Sequence, residues 1–296
     1  MKKKSIFLIV NKLYFFDYVK DDSIYLIYND NNRLISFFRK ACSRLFPWLL
    51  FFFFGKWKNI LNEVDNVILM DNAYNSKISQ YIKRKNPCVK VIMYYWNVVN
   101  ESNKFILNDK NIDSFWSFDE FDSKKYNMKF SPQFYYPYPL ESHKDIKYDV
   151  CFLGAAKNRE QIILDIEKIL KSAGLKTNII ISHSGSSFVS YYDYLTMIFE
   201  SDAILDVVGD NQIGITLRCL ESIFYKKKLI TNNKNIVNYD FYNKNNVFIV
   251  EKDDINNIKK FLGTKYTDIP SKIKNKYSYE QWRKNMNEED IKWKSL

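Results

Sequence analysis

Short apolar runs, rich in β-branched and aromatic residues, alternate with longer helix-like segments along most of this 296-residue chain. Runs of this kind are typical of buried strands, and their alternation with helices is typical of a parallel sheet covered on both faces. We therefore predict an α/β protein. In the first half, the predicted strands are residues 5–10, 23–28, 66–71, 89–95, 114–118 and 129–135, and the predicted helices are 32–54, 75–85 and 120–126.

The alternation restarts after a polar, proline-containing stretch at residues 136–144, which we predict to be a linker. Strands are then predicted at 148–153, 177–181, 203–208, 229–231 and 247–250, and helices at 159–173, 191–201, 216–225, 253–261 and 277–287. The length favours more than one core. We predict two doubly wound, Rossmann-like domains that face a cleft, with ligand at the carboxyl ends of the strands. The predicted domains are residues 1–140, residues 141–275 and a helical tail, 276–296, expected to pack back on the first domain.

Lys and Arg outnumber Asp and Glu by 45 to 34, which gives a net charge of +11. A basic excess indicates an anionic partner such as nucleic acid, a phosphorylated ligand or a lipid surface. The lysines are dispersed and no nucleic-acid-binding motif is present, so we predict no nucleic-acid partner. Four widely spaced cysteines and two histidines form no zinc pattern, and isolated thiols fit a reducing cytoplasm. We expect neither a metal nor a cofactor.

Two apolar segments bear on membrane association. Residues 5–10 follow three lysines, but this run is short and lacks a cleavage site, so we predict a buried first strand rather than a signal peptide. The run from Leu45 to Phe54 is too short to span a bilayer as a helix, which needs about 20 residues. It is either buried, or it contacts a membrane peripherally with its aromatic side chains in the interface. In the second case the flanking cations meet anionic head groups; they are Arg39, Lys40, Arg44, Lys56 and Lys58.

The first candidate ligand site follows the strand at 148–153. Gly154 ends this strand, and Lys157 and Arg159 stand where the next helix begins. Anions bind at helix N-termini because free N–H groups and the positive end of the helix dipole lie there. The alternative is an ordinary turn with surface cations. Neither a P-loop nor a G-x-G-x-x-G motif is present.

The second candidate site follows the strand at 203–208, where a polar turn containing Gln212 and Gly214 leads into a helix. Thr216 is a suitable cap for that helix. Arg218 and Glu221 are three residues apart and share one helix face. They form either a surface ion pair, or a site in which Glu221 accepts hydrogen bonds from a ribose and Arg218 holds a diphosphate.

This second segment resembles the donor-binding segment of bacterial glycosyltransferases with the GT-B fold, from capsule and lipopolysaccharide synthesis. The matching residues are Gln212, Gly214, Thr216, Arg218, Glu221 and Ser222, followed by Lys226 to Thr231. Residues 94–97, 116–119, 133–136 and 149–154 fit the family more weakly, so the resemblance extends over about residues 94–250. The chain lacks the family's pair of glutamates, which leaves retaining or inverting stereochemistry open.

The resemblance implies a cytoplasmic enzyme, at the inner face of the cell membrane, that moves sugar from a nucleotide-sugar to a glycan or lipid-linked glycan acceptor. The donor would lie on the C-terminal domain, with Glu221 at the ribose. Lys157, Arg159 and Arg218 would lie near the diphosphate. No D-x-D sequence is present, so we expect fixed cations rather than a metal to stabilise the leaving group. The alternative is a non-catalytic, two-lobed ligand-binding protein.

The acceptor side is less well marked in the sequence. Asp71 and Asp119 each end a predicted strand, and either is a candidate general base or a helix cap. Tyr95, Trp96 and Asn97 end another predicted strand. Aromatic residues there either stack on sugar rings or pack in the core.

Overall fold

A computed structural model describes residues 4–10, 16, 18–29, 32–139, 145–183, 189–209 and 212–287. The chain divides into two units. The described residues of the N-terminal unit lie within 4–132 and 282–287, and those of the C-terminal unit lie within 133–281, with the gaps given above. The expected domain boundary at 140/141 and residues 288–296 of the expected tail lie outside the described residues.

The N-terminal unit has a six-stranded parallel sheet within the described residues, in the order β2-β1-β3-β4-β5-β6. Its elements are β1 Ser5–Ile9, β2 Ile24–Leu26, α1 Arg33–Leu45, β3 Asn66–Met70, α2 Ser76–Lys85, β4 Lys90–Tyr95, β5 Ser114–Ser117, α3 Glu120–Lys125 and β6 Lys129–Phe130. Every residue of β1 and β3 is buried. That is the expected state of parallel strands with both faces covered.

The C-terminal unit has a five-stranded parallel sheet in its described part, in the order β11-β10-β9-β7-β8. Its elements are β7 Tyr148–Ala155, α4 Glu160–Ser172, β8 Thr177–Ser182, α5 Tyr191–Phe199, β9 Ser201–Asp206, α6 Leu217–Tyr225, β10 Lys228–Thr231, β11 Val247–Ile249, α7 Ile258–Gly263, α8 Ser271–Lys276 and α9 Tyr279–Asn287. Its core is formed by side chains of α4, α7 and the strands of the sheet, such as Phe152, Ile166, Leu205 and Phe248. Helix α9 continues from this unit into the N-terminal unit at Trp282.

The two sheets share the same strand arrangement around their first strand. The first strand of each unit has the second strand on one side and the third on the other, so the winding direction reverses between the first and the third. In open α/β sheets, ligands bind outside the carboxyl ends of the strands at such a switch point. The prediction of an α/β protein with two parallel sheets is confirmed.

Proline shortens two of the predicted elements. The predicted helix 32–54 ends at Leu45, and a 3-10 segment, Pro47–Phe53, replaces its second half. Proline restricts the residue before it and lacks the N–H that a helix interior needs. The predicted strand 129–135 stops at Phe130, two residues before Pro132. Among the helices of the described residues, none is both long and apolar enough to cross a bilayer.

Candidate functional site

The switch point of the C-terminal unit lies between β7 and β9, and two arginine side chains converge there. The Nη2 of Arg218, on α6, donates to the carbonyl oxygen of Leu153 in β7 at 3.0 Å. The Nη1 of Arg159 donates to the carbonyl oxygen of Val207, just after β9. Two guanidinium groups are therefore held at the carboxyl ends of two adjacent strands.

Both guanidinium groups are largely removed from water. The side chain of Arg218 is 12% exposed and its guanidinium lies 4.5 Å from the centre of the Phe152 ring. Burial, and then the charge of Arg218, lower the pKa of Arg159 to about 10. The buried Nε atoms of both arginines have no hydrogen-bond partner among the described residues. A bound anion would offset the repulsion between the two guanidinium charges.

A buried carboxylate, Asp206 at the end of β9, organises the residues around the arginines. Its oxygens accept hydrogen bonds from the hydroxyls of Thr216, at 2.7 Å, and Thr231, at 3.1 Å. The Nη1 of Arg218 lies 3.6 Å from one of them. Thr216 also caps α6, because its hydroxyl oxygen accepts a hydrogen bond from the backbone N–H of Arg218. The predicted cap is therefore present, and Asp206 fixes its orientation.

Gly154 is required beside Arg218 for steric reasons. A Cβ atom at this position would stand 2.2 Å from the Nη2 of Arg218 and 3.0 Å from the Phe152 ring. Only a residue without a side chain lets the guanidinium reach the strand. The absence of a side chain at Gly154 therefore determines how closely the Arg218 guanidinium approaches β7.

Glu221 occupies a different environment from the one expected. It is 1% exposed, and its two oxygens accept hydrogen bonds from the hydroxyls of Tyr191, at 2.9 Å, and Tyr194, at 2.7 Å. The hydroxyl of Tyr135 lies 2.6 Å from that of Tyr191 and donates to Tyr225. Burial raises the pKa of Glu221. The expected direct contact with a ribose is therefore not available in this structure, because tyrosine hydroxyls cover the carboxylate.

The remaining residues predicted for the donor site lie in the segments that follow β7 and β9. Gln212 donates from its backbone N–H to Gly209 and from its side chain to the carbonyl oxygen of Gly214, at 3.4 Å. Lys157 lies in the 3-10 segment Lys157–Arg159 that precedes α4; its side chain is outside the described part of the chain. Residues 210–211 of the turn are also outside it.

In the N-terminal unit, Asp71 follows β3 and acts as a hub for the loop after β4. One oxygen accepts from the backbone N–H groups of Trp96, at 2.7 Å, and Asn97, at 3.3 Å. The other accepts from the side-chain amides of Asn97 and Asn103, at 3.1 and 3.3 Å. Burial raises the pKa of Asp71 although these hydrogen bonds oppose the shift. A raised pKa suits a general base, but four donors already occupy this carboxylate.

The other two groups of acceptor-side predictions are mainly structural. Asp119 is fully buried and caps α3 by accepting from the backbone N–H of Asp122 at 3.1 Å. Tyr95 is also fully buried, and its hydroxyl donates to the carbonyl oxygen of Asn103. It belongs to the core and cannot stack on a sugar ring. Trp96 and Asn97 are half-buried beside Asp71.

The sequence interpretation did not assign roles to Asp206 or to the tyrosines around Glu221. Tyr191 and Tyr194 are three residues apart on α5, which places both hydroxyls on one helix face. That spacing is the feature of the sequence from which this pair of hydroxyls could have been predicted. Among the described residues, no group of three His, Cys, Asp or Glu side chains is arranged to hold a metal ion.

No protein-family model matches this chain, and no curated protein does. Among solved structures, it is similar to the NAD+-bound 3-phosphoglycerate dehydrogenase of Entamoeba histolytica, with 11% sequence identity and a TM-score of 0.20. The similarity covers 88% of this chain and 92% of that chain. A TM-score of this size supports no conclusion about fold, cofactor or activity.

Proposed function

We propose that the C-terminal unit binds the diphosphate of a nucleotide-sugar, and that the protein transfers the sugar to a glycan or lipid-linked glycan acceptor at the cytoplasmic face of a membrane. The observation that carries the proposal is the convergence of Arg159 and Arg218 at the β7/β9 switch point. The resemblance of the Gln212–Thr231 segment to GT-B glycosyltransferases supplies the substrate class. Two units with doubly wound parallel sheets are compatible with a GT-B arrangement, which is part of the proposal.

The chemistry of sugar transfer explains why paired arginines matter. When the glycosidic bond to the donor breaks, negative charge develops on the departing nucleoside diphosphate. Fixed cations in a water-poor site stabilise that charge without rearranging. Guanidinium groups also bind phosphate oxygens in a bidentate manner. Arg159 and Arg218 would fill this role, and the N-terminus of α6 adds a positive dipole end.

Glu221 takes a positioning role in this proposal. With Tyr191 and Tyr194 it forms a buried hydrogen-bonded group on α5 and α6. That group holds α6, and with it Arg218, against the sheet. On the acceptor side, Asp71 positions Trp96 and Asn97, and it is the remaining candidate for the base.

The test is thermal unfolding with a panel of UDP-, GDP-, CMP- and dTDP-sugars and the matching free sugars. A ligand at 100 times its Kd stabilises the folded protein by about 2.7 kcal/mol, so a binding donor raises Tm clearly. Arg159→Met should lose that shift, whereas Arg84→Met, an exposed arginine on α2, should keep it. Because each variant is compared with its own ligand-free state, a change in basal stability does not affect the result.

Transfer is then followed in the presence of EDTA as release of the nucleotide, which is UDP, GDP or dTDP from the diphosphate donors and CMP from a CMP-sugar. Because cations of the protein replace a metal in the proposal, activity should persist. A strict requirement for Mg²⁺ or Mn²⁺ would contradict the metal-free mechanism. Binding without release with any acceptor would favour the non-catalytic ligand-binding protein instead.

A further inference from the structure

Helix α1 exposes its apolar side and turns its polar side towards the protein. Leu34, Phe37, Phe38 and Leu45 follow helical spacing along one face, and all four are 61–67% exposed. The opposite face carries half-buried polar residues, among them Arg39, whose guanidinium lies 4.1 Å from the centre of the Tyr28 ring. A surface helix normally has the reverse orientation. An exposed apolar surface of this extent marks an interaction site.

The 3-10 segment Pro47–Phe53 extends the exposed surface. Trp48 is 65% and Phe52 is 66% exposed, whereas Leu50 and the following Phe54 are buried and anchor the segment. The sequence left open whether the run from Leu45 to Phe54 is buried or contacts a membrane. In the structure, some of its side chains lie in the core and others are exposed to solvent. We call the exposed set the apolar face; it consists of Leu34, Phe37, Phe38, Leu45, Trp48 and Phe52.

The charge around the apolar face has a single sign. Residues 32–62 contain no Asp or Glu and six basic residues, Arg33, Arg39, Lys40, Arg44, Lys56 and Lys58. Lys40, Arg44 and Lys56 are exposed and have no carboxylate partner in the described part of the chain. A hollow of about 430 Å³ lies beside Phe52. It is lined by Lys58 and by Lys85 of α2, which brings one more cation to this surface.

The positive charge around the apolar face indicates which kind of partner binds it. A second copy of the chain, docked face to face, would bring two strongly cationic surfaces together, and like charges oppose such a contact. The exposed side chains on the apolar face offer no hydrogen-bonding group except the Trp48 indole, so they provide little to specify a folded protein partner. An anionic bilayer supplies both an apolar interior and negative head groups, and requires only apolar side chains flanked by cations.

We propose that the apolar face binds the surface of an anionic lipid bilayer, with α1 lying in the plane of the interface. Leu34, Phe37, Phe38 and Trp48 enter the acyl boundary, and Lys40, Arg44 and Lys56 contact lipid phosphates. The hollow between Phe52 and Lys85 receives a head group. This proposal stands on the N-terminal unit and does not depend on glycosyl transfer.

Vesicle flotation tests the apolar contribution. The full-length chain should float with vesicles rich in phosphatidylglycerol and far less with phosphatidylcholine alone. Phe37→Ser with Phe38→Ser should reduce the bound fraction at least roughly tenfold, because two exposed aromatic rings no longer enter the interface. The matched control is Phe105→Ser with Phe121→Ser, two exposed phenylalanines of the same unit outside the apolar face, which should bind like the wild type. Unchanged Tm values show that each variant is folded.

A second pair of variants tests the charge. Lys40→Gln with Arg44→Gln should weaken binding roughly tenfold, and added salt should have the same effect. Lys252→Gln with Lys260→Gln, exposed lysines of the C-terminal unit, should change little. Failure of the wild type to float with anionic vesicles would overturn the proposal, as would equal loss in test and control variants. A dimer in light scattering that Phe37→Ser with Phe38→Ser dissociates would instead identify a face between copies of the chain.

Discussion

At the scale of single residues, the candidate site depends on the absence of one side chain. Gly154 leaves space in which the Nη2 of Arg218 reaches the carbonyl oxygen of Leu153. The same guanidinium lies near the carboxylate of Asp206 and over the Phe152 ring. One position near the carboxyl end of β7 thus decides where the charge of an α6 residue lies.

Gly154→Ala should displace this guanidinium, because its Cβ would stand 2.2 Å from Nη2. Because the clashing atom is the far end of a flexible side chain, the guanidinium can shift, and we expect stability to fall by less than about 1 kcal/mol while the nucleotide-sugar-induced Tm shift is lost. Urea unfolding and ligand titration measure the two effects. Gly263→Ala is the control, since its added Cβ meets no atom within 4 Å. A variant that binds as the wild type does would show that binding does not need the Arg218 guanidinium in this position.

The burial of Glu221 predicts the direction in which stability changes with pH. Burial raises its pKa above the ordinary value of 4.5, so ionisation favours the unfolded chain. Its contribution to stability is complete below about pH 4.5 and is lost as the pH rises through the raised pKa. The Tm of the wild type minus that of Glu221→Gln should therefore fall as the pH rises above 4.5. Glu251→Gln, an exposed carboxylate, should show no such trend; a rising difference for Glu221→Gln would contradict the burial effect.

At the scale of elements, the loop after β4 and the start of α3 each depend on one aspartate. Asp71 gathers two backbone and two side-chain donors from the loop, whereas Asp119 accepts a capping hydrogen bond from within α3. The roles are chemically different. A hub needs acceptors on both carboxylate oxygens, while a cap needs only one.

Asparagine substitutions separate these roles. Asp71→Asn turns one acceptor into a donor that faces other donors, so it should cost about 1–3 kcal/mol in free energy of unfolding. Asp119→Asn should cost less, because Asn caps helices about as well as Asp. Chemical denaturation measures both. Loss of turnover by Asp71→Asn with its stability intact would instead identify Asp71 as the base.

At the scale of the whole molecule, the N-terminal unit is completed by residues from the other end of the sequence. Trp282 is 1% exposed, and its ring centre lies 5.1 Å from that of Phe7 and 5.2 Å from that of Tyr94. Next to it, Arg283 donates to the carbonyl oxygen of Ser5 and to the hydroxyl of Ser23. The first strand of the chain therefore packs on its last described helix.

Trp282→Ala should destabilise the N-terminal unit by about 3–5 kcal/mol, the cost of emptying a large buried volume. The matched control is Trp48→Ala, which removes a side chain that is 65% exposed and should change stability by less than about 0.5 kcal/mol. Hydrogen exchange of the backbone amides in β1 and β4 measures the loss of stability in that part of the sheet. Equal effects of the two substitutions would contradict the packing described for α9.

The sequence by itself determined the α/β class, most strands and the two parallel sheets, because strand and helix periodicities are local properties of neighbouring residues. It also located Gly154, Arg159, Thr216 and Arg218, since turns and caps follow from a few adjacent residues. Only the tertiary structure decided that Asp206 and Thr231 meet on adjacent strands and that tyrosines of α5 cover Glu221. Strand order and the direction of the apolar side of α1 were likewise decided there. Burial depends on what packs against a residue, and that partner is often distant in sequence, as Trp282 is from Phe7.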